Sequence, residues 1–159
     1  MILVTLGTFP TEFTRPLIEL ERLLEQGLIK EEVIVQNGHT PFESKFMTLR
    51  PFMSPDEITE LYKKARVIIS HAGTGSLIKG IKLEKKVIAV ARLSKYNEMV
   101  DDHQVELLDT FTELNYIYPW YETDQLNDIL NAIDSFEPSP YISKKEVIIN
   151  YLDDYINSL

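Results

Sequence analysis

The sequence predicts a Rossmann-like α/β domain, a mostly parallel sheet with helices on both faces. Four short β-branched runs, Ile2 to Leu6, Val33 to Gln36, Val67 to Ile69 and Val87 to Val90, are each followed by a turn and, in most cases, by apolar residues at helical spacing. Right-handed crossovers turn that alternation into a parallel sheet. The third run breaks at Gly73 and Gly75 and resumes at once as a helical pattern, the form of a strand, a tight loop and a helix N-terminus. With 159 residues, 44% of them hydrophobic, the chain fits one domain spanning 1–159 with a real core.

Ile2 to Leu6 reads as a buried first strand, and Gly7-Thr8-Phe9-Pro10 as the loop at its carboxyl end. Leu17, Leu20, Leu23 and Leu24 recur at helical spacing and Gly27 stops that helix. Val33 to Gln36 is the second strand and ends in Asn37-Gly38-His39. Leu49-Arg50-Pro51-Phe52 gives a short third strand, which Pro51 confines to an edge or a terminus. Ser54-Pro55-Asp56-Glu57 starts a helix running to about Ala65, with Ser54 as cap and Glu57 closing a capping box.

After the central strand, glycine turn and helix comes Val87 to Val90, then the polar loop from Arg92 and a helix from about Asp101. Tyr116 to Tyr118 is the last strand, and Leu126, Ile129, Leu130 and Ile133 mark another helix. Pro138 and Pro140 form a hinge before a terminal helix at about 143–158. Its apolar positions Val147, Ile148, Tyr151, Leu152, Tyr155 and Ile156 are expected to fold back on the domain, or else to brace a partner.

Composition excludes several classes. The 25 acidic against 16 basic residues give a net charge of −9, which disfavours a nucleic-acid surface or self-sufficient binding to anionic lipid. There is no cysteine, and the three histidines at 39, 71 and 103 have no metal-binding spacing. The apolar stretch after Met1 is too short for a signal peptide or a span, so direct membrane insertion is not expected and the chain reads as cytoplasmic.

Gly73 and Gly75 admit backbone angles and close approaches that a Cβ forbids, and Thr74 and Ser76 add hydroxyls beside the N–H groups of the next helix. Such a turn can hold an anion; alternatively, the glycines merely make a sharp bend. Ile78 stands where a dinucleotide fingerprint needs its third glycine, and the Lys-Ser/Thr pair of a phosphate loop is absent. Parallel sheets bind ligands beyond the carboxyl ends of their strands. Gly7-Thr8, Asn37-Gly38-His39, His71 to Ser76 and Arg92 to Gln104 all fall on that edge. Acidic residues at 101 and 102 would also complement a helix dipole there.

Three blocks then make the sequence resemble the C-terminal domain of glycosyltransferase family 28. They are Val4-Thr5-Leu6-Gly7-Thr8, Ile69-Ser70-His71-Ala72-Gly73-Thr74-Gly75-Ser76 and Asn97-Glu98-Met99-Val100-Asp101-Asp102-His103-Gln104. Val35 to His39 is similar to the family's second-strand segment. The nearest likeness is to free-standing single-domain members: the cytosolic catalytic subunit of the eukaryotic dolichol-linked N-acetylglucosaminyltransferase, and the E-type subunit of bacterial two-subunit transferases for capsule and exopolysaccharide.

The resemblance implies the C-terminal, donor-binding half of a GT-B enzyme. A separate membrane-anchored subunit would supply the acceptor side and recruit the chain to the cytoplasmic face of the membrane. Transfer would run with inversion from a UDP-sugar to a lipid-linked glycan acceptor, with no metal or other cofactor. Gly7, Thr8, Gly73, Thr74, Gly75 and Ser76 would surround the diphosphate. Asp102, His103 and Gln104 would address sugar or ribose hydroxyls, with Asn37, His71, Asn97 and Glu98 completing the set. His71 is the sole candidate for a catalytic role, as a phosphate ligand or an acceptor base, and it could equally be a structural residue of the loop.

Two positions depart from the family pattern. Lys79 replaces a usual glutamate, and Leu83-Glu84-Lys85-Lys86 replaces Leu-Gly-Lys-Pro. The alternative function is therefore a non-catalytic nucleotide-binding or regulatory module of such a complex.

Overall fold

The computed structural model describes residues 1–158. Six strands, β1 (Ile2–Thr5), β2 (Val33–Gln36), β3 (Thr48–Arg50), β4 (Val67–His71), β5 (Lys86–Val90) and β6 (Tyr118–Pro119), form one sheet in the order β3-β2-β1-β4-β5-β6. Every pairing is parallel. Helices α1 (Arg15–Glu25), α2 (Pro55–Lys64), α3 (Thr74–Lys82), α4 (His103–Glu113) and α5 (Leu126–Ala132) follow β1, β3, β4, β5 and β6 in turn, β2 and β3 being joined without a helix, and α6 (Lys145–Asn157) closes the chain. The last strand is two residues long and shifted to Tyr118–Pro119, and α4 starts two residues later than expected.

Side chains alternate across β1 and divide the core in two. Ile2 and Val4 face Leu17, Leu20 and Leu23 of α1 and Leu126 and Ile129 of α5. Leu3 faces the layer that includes Tyr62, Leu77, Ile81 and Leu108 from α2, α3 and α4. Both faces are thus covered by helices, which is why the strands read as continuous apolar runs. Gly80 lets α3 lie close on the sheet, since a Cβ there would come within 2.6 Å of Val87 Cγ2.

The start of α2 is half a capping box. Ser54 Oγ accepts from the Glu57 N–H at 3.2 Å, but the Glu57 carboxylate turns to Arg50 of the neighbouring strand. The ion pair outcompetes the return bond because the parallel register brings β3 beside the helix start.

The expected return of the terminal helix onto its own domain is corrected by the structure. None of its residues is buried, and Val147, Tyr151 and Ile156 are 66%, 70% and 63% exposed. The Pro138–Pro140 segment runs to Tyr141, which packs beside Tyr116 and under Lys82; beyond it both sheet faces are already occupied by α1 to α5. No helix among the described residues is long and apolar enough to cross a membrane.

Candidate functional site

The strand order reverses between β1 and β4, so the crevice at the carboxyl ends of those two strands is the switch point where an open α/β sheet takes its ligand. Gly7 follows β1, and His71 ends β4. Between them Thr5 Oγ1 donates to Ser70 Oγ at 3.0 Å and Ser70 Oγ to the His71 carbonyl at 2.9 Å.

His71 is packed into the floor of this crevice. Its Nδ1 lies 3.3 Å from the Thr5 carbonyl oxygen, which assigns the proton to Nδ1 and leaves Nε2 as an acceptor. Burial is the main cause that lowers its pKa to about 4, and the nearby Arg92 charge adds to the shift. The ring is therefore neutral near pH 7 and a poor match for a base abstracting an acceptor proton.

The same ring explains two of the glycines. A Cβ on Gly7 would lie 2.7 Å from Nε2, and one on Gly73 would overlap it. Gly7 also has φ +80, a left-handed angle that favours glycine. Gly75 differs, because an added Cβ there would meet nothing within 4 Å.

The open N–H groups are narrower than the sequence block suggests. Gly73 N–H already donates to the His71 carbonyl at 2.8 Å. Thr74 and Gly75 begin α3, and among the described residues their N–H groups meet no acceptor. The same holds for Gly7 and Thr8. Four backbone donors from two turns thus border the switch-point crevice, with the Thr74 hydroxyl exposed and Ser76 half-buried beside them. The positive end of the α3 dipole is at the same place.

The loop after β5 is built differently from its sequence reading. Glu98 is buried, and both its oxygens are committed: Oε1 accepts from Arg15 Nε at 2.7 Å, and Oε2 from Arg15 Nη2 at 2.8 Å and Leu93 N–H at 2.9 Å. Gln104 is also buried, its Oε1 accepting from the Arg92 N–H at 3.1 Å. Asn37 is buried at the end of β2 and donates through Nδ2 to the Thr40 carbonyl at 2.7 Å. These three candidates hold loops together through internal hydrogen bonds, although Asn37 Oδ1 is buried with no partner among the described residues.

Asp102 is exposed, and its Oδ1 accepts from the Ser94 N–H at 3.0 Å, which lowers its pKa. Asp101 Oδ1 accepts from the His103 N–H at 3.1 Å. His103 and Asn97 face solvent. Asn97, Asp102 and His103 are therefore brought to the carboxyl edge with reach to spare, and Asn97 takes φ +56 to end the 3-10 turn at Ser94–Tyr96.

Two residues escaped the sequence reading. Arg92, in the middle of this edge, is buried although arginine normally marks a surface. Phe52 lies exposed just beyond β3, edge-on to His39 with ring centroids 5.2 Å apart, and 3.9 Å from where a Gly38 side chain would begin. Lys79, one turn beyond Ser76, extends its ammonium over the Tyr62 ring at 5.1 Å. No three His, Asp or Glu side chains among the described residues converge to hold a metal ion.

The family model of the glycosyltransferase family 28 C-terminal domain matches residues 1–159. The chain belongs to that family. It is 29% identical over 109 residues to the "UDP-N-acetylglucosamine transferase subunit ALG13" of Candida albicans, a match covering 69% of this chain and 36% of that protein. The protein of that name in Debaryomyces hansenii is 29% identical over 152 residues, covering 86% of this chain and 68% of the relative. The chain thus spans about a third of the first relative and about two thirds of the second.

Among solved structures, the solution structure of ALG13 aligns with a TM-score of 0.54 and 17% identity over 95% of this chain and 94% of that one. A glycotransferase of kitacinnamycin aligns at 0.59 and 12% identity, over 86% of this chain and 34% of that one. This domain of family 28 accordingly has the fold of the C-terminal half of a GT-B glycosyltransferase.

Proposed function

We propose that this family 28 domain binds the donor, a UDP-sugar, for a two-subunit inverting glycosyltransferase that acts on a lipid-linked acceptor in glycan biosynthesis. UDP-N-acetylglucosamine is the donor favoured by the names of its yeast relatives. Those relatives turn the reading toward glycan assembly of their type and away from capsule or exopolysaccharide. The observation that carries the proposal is the set of unpartnered backbone donors, Gly7, Thr8, Thr74 and Gly75, at the switch point of the sheet.

The donor diphosphate would lie across these N–H groups and the N-terminus of α3. As the bond from the sugar to the diphosphate breaks, charge grows on the departing UDP, and donors already fixed in place stabilise that charge without reorganising. Phe52 beside His39 offers an apolar platform on the same edge. Asn97, Asp102 and His103 are the exposed polar groups available to sugar hydroxyls. His71 serves as the floor that spaces the two turns.

A membrane-anchored partner supplying the acceptor side would dock on the exposed apolar face of α6 and hold the domain at the cytoplasmic face of the membrane. Val147, Ile148, Tyr151, Leu152, Tyr155 and Ile156 form that face. Calorimetric titration with UDP and UDP-N-acetylglucosamine is the test, followed by transfer assays with and without the partner. Saturable binding that Gly75→Val removes from a folded protein is the expected result; unaltered binding by that variant would refute the site.

A further inference from the structure

Arg92 is the largest side chain in the fully buried set, at 1% exposure. Taking a guanidinium out of water is costly, and a carboxylate normally compensates it. Here the fork meets mostly uncharged oxygens. Nη2 donates to the Leu6 carbonyl at 2.8 Å, and Nη1 to the Thr11 carbonyl at 3.0 Å, Thr11 Oγ1 at 2.9 Å and the Glu98 carbonyl at 3.1 Å. Nε is buried with no partner among the described residues. The nearby Glu98 carboxylate is engaged by Arg15. The Arg92 guanidinium thus has no carboxylate in hydrogen-bond contact among the described residues, in a chain of net charge −9.

Packing alone does not require this arrangement, because Arg92 lies over the Phe13 ring at 4.9 Å, where an apolar side chain would pack at lower cost. What the fork does is fix a peptide. The Leu6–Gly7 bond is trans, so its C=O and N–H point in opposite directions. A donor that holds the Leu6 oxygen therefore turns the Gly7 N–H away from itself and polarises it. The same guanidinium grips the far end of that loop at Thr11 and the loop after β5 at Glu98.

We infer that Arg92 is a positioning residue of the diphosphate site: through the Leu6 carbonyl it aims and polarises the Gly7 N–H, and through Thr11 and Glu98 it locks the two loops that flank the crevice. This rests on the donor-site reading above. Lysine cannot replace arginine here, because it carries the charge without the planar fork.

The test uses the full ¹⁵N-labelled chain as wild type, Arg92→Lys and Thr11→Val, with UDP as ligand. Without ligand, the Gly7 amide resonance should move in both variants while that of Gly27, at the far end of α1, stays in place. Arg92→Lys should then bind UDP about tenfold more weakly. A folded Arg92→Lys with an unmoved Gly7 amide and UDP affinity within about twofold of wild type overturns the inference. Should that variant not fold, an unmoved Gly7 amide in Thr11→Val overturns it equally. Wild type that fails to bind UDP sinks the donor-site reading instead, and the ligand-free Gly7 shift still decides whether Arg92 aims that peptide.

Discussion

The imidazole of His71 occupies the space in which a side chain on Gly73 would have to stand. Gly73 and Gly75 are two residues apart and look equivalent in the sequence, yet one makes room for the protein's own ring and the other faces open space. Gly73→Ala should lose about 1–3 kcal/mol of stability through overpacking, read as a drop in the denaturation midpoint. Gly75→Ala should unfold like wild type but bind UDP less well. Equal stability of the two variants would refute the distinction.

The neutral, buried state of His71 predicts a pH dependence. Its folded pKa of about 4 lies below the ordinary 6.5, so between these values the unfolded chain binds a proton that the folded one does not. Stability from this group is complete above pH 6.5 and is lost as pH falls toward 4, by up to about 3 kcal/mol. Urea unfolding of wild type and His71→Asn at pH 7 and pH 4.5 checks this. The difference between the two proteins should shrink at the lower pH, and a constant difference would be evidence against it.

Glu98→Ala should be among the most damaging single changes, at about 3–5 kcal/mol, because it strands Arg15 and removes the carboxylate whose field favours the Arg92 charge. Gln104→Ala should lose about 1–3 kcal/mol by leaving the Arg92 N–H unpaired in a buried site. Read as a helix-start residue alone, Gln104 would lose no more than about 1 kcal/mol. Thermal unfolding of Gln104→Ala beside Asp102→Ala separates these readings, since the exposed Asp102 should change little.

Glu84 offers a gain. It sits at φ +54 just past α3, where Lys85 N–H returns to the Gly80 carbonyl at 3.0 Å and Glu84 N–H to the Ile81 carbonyl at 2.9 Å. That is the Schellman end of a helix, with glutamate in the left-handed position glycine prefers. Glu84→Gly should therefore stabilise by about 1 kcal/mol, seen as a raised melting temperature. A lower one would show that the Glu84 side chain holds something the hydrogen bonds do not reveal.

Truncation before Ser143 should leave the melting temperature of the domain unchanged, because no residue of α6 is buried. The truncated chain should still bind UDP and should fail to co-purify with the acceptor-side subunit. A large loss of stability would mean that α6 packs on its own domain after all.

Periodicity in the sequence was enough to determine the parallel sheet, because strands covered on both sides must be apolar at nearly every position and helices over them must show a 3.6-residue face. Val67 to Ile78 alone placed the central strand, turn and helix start within a residue or two. The short strand expected over Leu49 to Phe52 is an edge strand, but it runs over Thr48–Arg50 and stops before Pro51, whose missing N–H cannot continue the ladder. The terminal helix was legible as a helix, but where its apolar face points depended on whether any sheet face remained uncovered, which local spacing cannot express.

The site divides along the same line. Sequence alone determined which loops reach the carboxyl edge, since that follows from chain direction in a parallel sheet. Tertiary structure decided what each polar side chain does there. Glu98 and Gln104 look like free hydrogen-bonding groups until Arg15 and Arg92, 83 and 12 residues away, are folded against them. Arg92 looks like a surface residue until Leu6 and Thr11, 86 and 81 positions off, close over it. A residue's type fixes what it can donate or accept; which partners surround it, and hence whether any capacity is left for a ligand, is set only when distant segments meet in a medium without water.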